Sequence, residues 1–235
     1  MKVDVAFLPE EVKDRDLSDT VCIVLDIFRA TSSMVTAFAN GCQGIFPVLT
    51  VEEAHQVARG MDSPLLAGER QSVRIEGFDL GNSPYEFSRE KVQGKKIVMT
   101  TSNGTVAIRA VAHAYLSFIG AFLNAGAVCR QAAAYNKDIL IVCAGTDRLF
   151  SLEDSLCAGL LTELLAADAV LTDAAQAARM LHEQADGQWV EKAQNSRNGK
   201  RLLDLGRMED VRYCFQQDTS LLVPRYAQGW IVCEK

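Results

Sequence analysis

The chain has 235 residues, 49% hydrophobic and 23% charged, which is typical of a globular protein with a substantial core. Its net charge of −6 argues against a nucleic-acid backbone as a partner. No apolar stretch approaches the roughly 20 residues that span a bilayer. Seven cysteines without a C-x-x-C pair favour reduced thiols over a disulfide framework. Without a signal-peptide pattern after Met1, a cytoplasmic location is expected.

Short apolar runs alternate with helical patterns along the first 165 residues. The runs predict strands at about 3–8, 21–25, 45–49, 65–67, 96–100, 115–119 and 139–143. Helices are predicted at about 34–40, from Thr50 onward, at 106–111, 123–136 and 150–165. This alternation predicts a three-layer α/β fold, with a mainly parallel or mixed sheet covered by helices on both faces.

The last third of the sequence is more helical. Residues 171–205 show a polar helical pattern with a break at Asn195–Gly199, and a hairpin turned at Gln228–Gly229 is predicted at the end. We expect one α/β domain over residues 1–235, with a more helical part at about 166–235. Apolar helix faces after Leu160 are compatible with a homo-oligomer.

Polar residues follow each predicted strand, and in open α/β sheets ligands bind beyond the carboxyl ends of the strands. Carboxylates suit a hard cation such as Mg²⁺, while arginines and turn amides suit a phosphate or a carboxylate. If the strands are parallel, these residues meet at one edge and predict a Mg²⁺-dependent phosphate-ester site. They are Asp26, Arg29, Thr31, Ser32, Glu69, Arg70, the turn Thr100–Gly104, Gly145, Asp147, Glu153 and Asp154.

Each of these positions also has a simpler structural interpretation. Asp26 can cap the following helix, and Glu153 and Asp154 suit the start of a helix through its dipole. Glu69 and Arg70 can form a surface ion pair. The hydroxyl-rich turn at 100–105 can serve as a helix cap, although it carries more polar side chains than a cap requires.

Spacing excludes several other phosphate chemistries. Phe28 stands where an aspartyl-phosphate enzyme needs its second aspartate, and neither Cys22 nor Cys143 has an arginine six residues later. The sequence contains no G-x-x-x-x-G-K-[ST] loop. The three histidines are far apart along the chain and are predicted to be structural or surface residues.

Four blocks of sequence carry a more specific signal. They are Val24–Ser32, Ala67–Arg70 with Gly77–Pro84, Thr100–Thr105, and Cys143–Gly145 with Phe150–Asp154 and Ala158–Gly159. In type and order they resemble the blocks of the 2-phosphosulfolactate phosphatase family. The resemblance implies Mg²⁺-dependent hydrolysis of the phosphate monoester of a 2-hydroxy acid. The substrate implied is 2-phosphosulfolactate, converted to 3-sulfolactate and phosphate as in coenzyme M biosynthesis.

The resulting hypothesis is attack of water on phosphorus, with Mg²⁺ as cofactor and no cysteine intermediate. The predicted metal ligands are Asp26, Glu69, Glu153 and Asp154. The predicted phosphate-binding residues are Arg29, Thr31, Ser32, Thr101, Ser102, Asn103 and Gly104. Arg70 is expected to bind the substrate carboxylate or sulfonate, and Asp79 and Asn82 to orient water or close the site.

Two alternatives stay open at this point. One is a non-catalytic binder of a phosphorylated metabolite, and the other is a Mg²⁺-dependent phosphatase of a different phospho-hydroxy acid. In every case the expected partner is a small phosphorylated hydroxy acid, with or without a sulfonate. Neither nucleic acid nor a membrane is expected to bind.

Overall fold

A computed structural model describes residues 1–233 and contains one mixed sheet. The strand order in the sheet is β5-β4-β6-β3-β11-β10-β7-β2-β8-β1-β9. The strands are β1 Lys2–Ala6, β2 Thr20–Leu25, β3 Gly44–Pro47, β4 Leu65–Arg70, β5 Val73–Arg74, β6 Lys96–Thr100, β7 Leu116–Gly120, β8 Asp138–Cys143, β9 Val170–Leu171, β10 Arg225–Ala227 and β11 Trp230–Val232.

Helices connect these strands and pack on the sheet. They are α1 Ala30–Ala39, α2 Val51–Arg59, α3 Arg89–Val92, α4 Gly104–Ala110, α5 Ala125–Ala133, α6 Leu152–Leu165, α7 Asp173–Ala185, α8 Trp189–Ala193, α9 Arg197–Asp204 and α10 Met208–Cys214. Short 3₁₀ turns occupy Pro9–Val12, Pro84–Glu86, Phe122–Asn124 and Ala166–Asp168. The α/β class and the mixed sheet are as predicted.

The sheet consists of two parallel blocks joined by the C-terminal hairpin. One block contains β4, β6 and β3, and the other β7, β2, β8, β1 and β9. The hairpin strand β11 is antiparallel to β3, and β10 is antiparallel to both β11 and β7. The two blocks therefore run in opposite directions, which differs from the single parallel edge on which the predicted site was based.

The site nevertheless forms, because a helix of one block reaches a strand of the other. Neighbouring strands rotate by about 20° relative to each other, so blocks separated by a hairpin do not share a flat edge. Helix α4, which follows β6, packs against β2. The residues after β2 and β6 consequently meet.

The sequence explains the local structure directly. β2 and β8 are apolar and buried along nearly their whole length, as expected in the interior of a sheet. Within residues 1–233, side chains that accept a backbone N–H begin four helices: Thr50 for α2, Ser151 for α6, Thr172 for α7 and Ser196 for α9. In the described part of the chain, no helix has the length and apolarity needed to cross a membrane.

Two boundaries matter for the site and differ from the prediction. Helix α1 begins at Ala30, four residues earlier than predicted, so the Ala-Thr-Ser-Ser segment forms its first turn. Strand β4 continues to Arg70, which places Glu69 inside the strand. Both elements extend into polar sequence because hydrogen bonds satisfy the polar side chains there. Those of Thr31, Ser32 and Glu69 Oε2 are local, whereas Glu69 Oε1 accepts the N–H of the distant Ser102.

Candidate active site

A narrow cavity lies between the end of β2, the β4–β5 turn, the turn before α4 and helix α9. The centre of a water molecule can reach about 10 Å³ of it, which is room for one water. Predicted site residues that line it together are Asp26, Arg29, Glu69, Asn82, Ser102 and Asn103. Phe28, Ser72, Asn198 and Arg201 line it as well, and the sequence prediction did not include them.

Asp26 directly follows β2, and its backbone fixes the turn into α1. The Asp26 N–H donates to Thr31 Oγ1 at 3.0 Å, and that hydroxyl donates to the Asp26 carbonyl oxygen at 3.1 Å. Ser32 Oγ donates to the carbonyl oxygen of Ile27 at 3.1 Å. Thr31 and Ser32 are fully buried. The structure therefore places these two predicted phosphate-binding hydroxyls inside the turn, where they hold Asp26 in position.

Gly104 allows the start of α4 to pack on this turn. A Cβ atom at this position would lie 2.6 Å from Asp26 Oδ2 and 2.6 Å from Ala30 Cβ. Such contacts are far below van der Waals distance, so a larger residue would push α4 away. The contact brings the residues before Gly104 to the side of Asp26.

The turn before α4 is held by its two flanking threonines. The Thr105 N–H donates to Thr101 Oγ1 at 3.1 Å, and the Thr101 N–H donates to Thr105 Oγ1 at 3.2 Å. Both threonines are buried, while Ser102 and Asn103 line the cavity. Of the predicted phosphate-binding side chains in this turn, the structure thus presents Ser102 and Asn103 to the cavity.

Glu69 connects two loops of the site. Its Oε2 accepts the N–H of Ser72 at 2.7 Å, and its Oε1 accepts the N–H of Ser102 at 2.8 Å. Each carboxylate oxygen keeps a further lone pair. The carboxylate is therefore fixed in place and still able to bind a cation.

Arg29 is buried in an ion pair. Its Nη1 lies 2.5 Å from Asp210 Oδ2, and both side chains are at most 4% exposed. Arg29 Nη2 donates to the carbonyl oxygen of Ser72 at 2.8 Å, and Ser83 Oγ donates to Asp210 Oδ1 at 2.7 Å. Arg29 is thus a neutralised, rigid part of the cavity wall.

Helix α9 supplies a wall that sequence reasoning missed. Asn198 Nδ2 donates to the carbonyl oxygen of Phe28 at 2.7 Å, and Ser72 Oγ donates to Asn198 Oδ1 at 3.3 Å. Ser196 caps the helix by accepting the N–H of Gly199 at 3.0 Å. The predicted break at 195–199 is therefore the start of a helix. In the sequence, the polar residues that follow the capping serine were the signal that could have indicated this helix and its place at the cavity.

Glu153 and Asp154 are buried next to the cavity but do not line it. Asp154 Oδ1 accepts the N–H of Ile27 at 2.8 Å, and Oδ2 accepts the N–H of Gly145 at 3.1 Å. Asp154 thereby ties together the residues that follow β2 and β8. In contrast, Glu153 Oε2 is buried without a hydrogen-bond partner.

Two other predicted residues lie outside the cavity. Arg70 donates to the carbonyl oxygen of its neighbour Glu69 at 2.7 Å and to Thr100 Oγ1 at 3.0 Å. Asp79 is exposed, and its Oδ2 accepts the N–H of Leu66 at 2.8 Å. Asn82, predicted together with Asp79, does line the cavity, and its Oδ1 is buried without a partner.

The carboxylates of this region share uncompensated negative charge. Burial, followed by the charge of Glu69, raises the pKa of Asp26 to about 7. Burial also raises the pKa of Glu153, and burial with the charges of Asp26 and Glu153 raises the pKa of Asp154. A bound cation would relieve this repulsion.

A magnesium ion fits this arrangement with two carboxylates. Within residues 1–233, no group of three or more His, Cys, Asp or Glu side chains is placed to hold a metal ion. Mg²⁺ usually keeps several waters and binds through one or two carboxylates together with substrate phosphate. Asp26 and Glu69 supply such a pair in the cavity, and the unpartnered oxygen of Glu153 lies in the buried region behind it.

Buried carboxylates beside hydroxyl and amide side chains, in a mixed α/β fold, are the setting in which the comparisons with known proteins identify a class of phosphatase. The family model described as 2-phosphosulpholactate phosphatase matches residues 6–229. The chain therefore belongs to the 2-phosphosulfolactate phosphatase family, whose members are phosphoric monoester hydrolases. This confirms the family predicted from the four sequence blocks.

Curated relatives agree over nearly the full length. A Clostridium tetani protein is 36% identical over 234 residues, covering 98% of this chain and 100% of the relative. Proteins of Caldanaerobacter subterraneus subsp. tengcongensis and Symbiobacterium thermophilum are each 41% identical, covering 93% and 92% of this chain and 92% and 95% of the relatives. All three are called probable 2-phosphosulfolactate phosphatase.

Proposed function

We propose that the protein hydrolyses 2-phosphosulfolactate to 3-sulfolactate and phosphate, with Mg²⁺ as its cofactor. The relatives' name suggests the substrate. The observation that carries the chemistry is the cavity in which Asp26 and Glu69 lie together with Ser102 and Asn103. This pairs a cation site with donors for phosphate oxygens.

The two carboxylates that line the cavity are the residues that would hold the metal. Asp26 and Glu69 would hold Mg²⁺, and Glu153 would add negative charge behind them. When bound, Mg²⁺ supplies neutralisation of phosphoryl charge and stabilisation of the leaving alkoxide. Asp154 serves as a positioning residue in this proposal, because both of its oxygens accept backbone N–H groups.

The remaining cavity residues position the phosphate and the water. Ser102 and Asn103 donate hydrogen bonds to phosphate oxygens, and the buried Arg29–Asp210 pair keeps the wall rigid. Asn82 Oδ1, a buried acceptor without a partner, accepts a hydrogen from the attacking water and orients it toward phosphorus.

Direct attack by water also agrees with the state of the cysteines. Cys22 and Cys143 are fully buried. Burial raises the pKa of Cys22 to about 12 and that of Cys143 well above its ordinary value. Thiols in this state are poor nucleophiles. Buried reduced thiols also suit a cytoplasmic location, and we propose that the reaction serves coenzyme M biosynthesis there.

The test is phosphate release from racemic 2-phosphosulfolactate, with Mg²⁺ and with EDTA, beside 2-phospholactate and 4-nitrophenyl phosphate. We expect release that needs Mg²⁺ and favours the sulfonated ester. Mg²⁺-dependent release from only the other esters would refute the named substrate. Release that EDTA does not affect would refute the cofactor, and no release from any ester would refute the proposed reaction.

A pair of variants tests the metal site itself. Glu69→Gln should raise the Mg²⁺ concentration for half-maximal rate by about tenfold or more, because it removes one of two anionic ligands. Glu76→Gln is the matched control, since Glu76 is an exposed glutamate of the same loop region. An unchanged Mg²⁺ dependence in Glu69→Gln would contradict the assignment.

A further inference from the structure

The cavity contains two cations in very different states, among the residues that the structure describes. Arg29 is 3% exposed and paired with the equally buried Asp210. Arg201 is 29% exposed, and its Nη2 lies 2.7 Å from Oδ2 of Asp147, which is 46% exposed. Removing Arg29 from its partner would leave a buried charge unpaired, whereas an exposed pair such as Arg201–Asp147 exchanges partners at little cost.

Nearby arginines are less suited to bind a ligand in this cavity. Arg70 is held by Thr100 Oγ1 and by backbone carbonyl oxygens. Arg197 donates to the carbonyl oxygen of Thr146 at 3.3 Å. Neither lines the cavity, whereas Arg201 does. Arg201 is thus the arginine of the cavity wall whose guanidinium can bind a ligand.

The size of the cavity adds a second argument. It is narrow, with room for about one water, so a wall that can move makes space for a phosphate ester. Most of the wall is buried and fixed by hydrogen bonds, as shown for Glu69, Arg29 and Asn198. Arg201 is a partly exposed side chain held through an exposed carboxylate. Its movement breaks a partly exposed ion pair and not a buried one.

We propose that Arg201 is the specificity-determining residue of this site. On substrate binding its guanidinium leaves Asp147 and binds the acidic group of the substrate other than the phosphate. That group is a carboxylate or a sulfonate, both of which accept two parallel hydrogen bonds from a guanidinium. This inference rests on the proposed function, since it assumes that the ester carries a second anion.

Asp147 provides a test that separates binding from a structural role. It has a φ of 55°, a conformation that asparagine tolerates, and its N–H donates to Asn103 Oδ1 at 3.2 Å. Asp147→Asn therefore keeps the loop and removes only the competing charge. If Arg201 binds substrate, Arg201→Gln and Asp147→Asn shift KM in opposite directions. If the ion pair only holds the loop to α9, the two variants shift KM in the same direction.

The experiment compares kcat/KM for 2-phosphosulfolactate, 2-phospholactate and 4-nitrophenyl phosphate, the last of which has no second acid. We expect Arg201→Gln to lower the ratio of 2-phosphosulfolactate to 4-nitrophenyl phosphate by about tenfold or more, mainly through KM. Asp147→Asn should lower KM for the sulfonated ester. Lys200→Gln, an equal charge change at an exposed position of the same helix, should leave the ratio unchanged. An equal loss with 2-phospholactate identifies the carboxylate as the bound group, and a smaller loss identifies the sulfonate.

An unchanged ratio in Arg201→Gln, or KM shifts in the same direction for both variants, would overturn the inference. Binding of 3-sulfolactate, measured as a shift in Tm, separates this failure from failure of the proposed function. If wild type releases no phosphate but is stabilised by 3-sulfolactate, the proposed reaction is wrong. Loss of that stabilisation in Arg201→Gln would then still support the role of Arg201, and its retention would refute it. Absence of any stabilisation in wild type would refute both.

Discussion

Replacing Asp26 with asparagine should stabilise the metal-free protein and abolish phosphate release. The Asp26 carboxylate is buried at the end of β2, and its pKa is raised to about 7 by burial and by Glu69. Between pH 4 and pH 7 the folded chain therefore binds a proton that the unfolded chain has lost. The free energy of unfolding consequently falls as the pH rises through this range.

The size of the change in stability follows from the difference between the pKa of Asp26 in the folded chain and its pKa in the unfolded chain. Above pH 7, with no cation bound, a rise in the pKa of Asp26 from 3.8 to about 7 lowers the free energy of unfolding by about 4 kcal/mol. Asparagine removes this loss but gives up one acceptor for the N–H groups of Ala30 and Gly104, at a cost of about 1 kcal/mol. Asp26→Asn should therefore be more stable than wild type by about 3 kcal/mol at pH 8. At pH 4 it should not be more stable.

Urea unfolding in EDTA at both pH values measures this difference, with Asp14→Asn as an exposed control. Added Mg²⁺ should stabilise wild type more than the variant, because a ligand that binds the folded state raises the free energy of unfolding. Equal stability of wild type and Asp26→Asn at pH 8 in EDTA would refute the electrostatic reasoning. Full phosphate release by a folded Asp26→Asn would refute its role in the site.

Three further predictions follow from the packing around the site. Gly104→Ala should lower the free energy of unfolding by about 1–3 kcal/mol and impair phosphate release, because its Cβ would meet Asp26; a near-wild-type urea midpoint would contradict this. Asp210→Asn should lower the free energy of unfolding by about 3–5 kcal/mol, since it leaves Arg29 buried without its counter-charge. A decrease of less than about 1 kcal/mol would contradict the pairing. Cys22→Ala should retain phosphate release even though it lowers Tm, and loss of activity in the folded variant would indicate a role for the thiol.

The elements with strong local signals could be predicted from the sequence. The apolar run of β2, the capping threonine Thr50 and the turn at Gln228–Gly229 all lie where the pattern indicated. These features depend on neighbours within a few residues, such as a hydroxyl that accepts the N–H three positions later. Asp26 and Ser102 follow strand ends, as predicted, and both line the cavity; their roles there stay a prediction.

Features that depend on distant parts of the chain could not be predicted in this way. Asn198 contacts the carbonyl oxygen of Phe28 across 170 positions, and Asp210 pairs with Arg29 across 181. No local pattern marks the partner in either pair. Thr31, whose hydroxyl was expected to bind phosphate, is a different case, because its partner Asp26 is only five positions away. Its contact with the Asp26 backbone depends on where α1 begins, which the polar sequence did not reveal.

The C-terminal hairpin has a consequence for how the chain folds. Its strands, β10 and β11, follow all the other strands of the sheet in sequence and so are synthesised after them, yet they occupy the middle of the sheet between β7 and β3. Until they arrive, each parallel block has an unpaired edge, and such edges invite pairing with other chains. Closing the sheet requires contacts between residues more than 100 positions apart, which slows folding. The hairpin thus closes the sheet between the two blocks, and the chain is more exposed to aggregation before it forms.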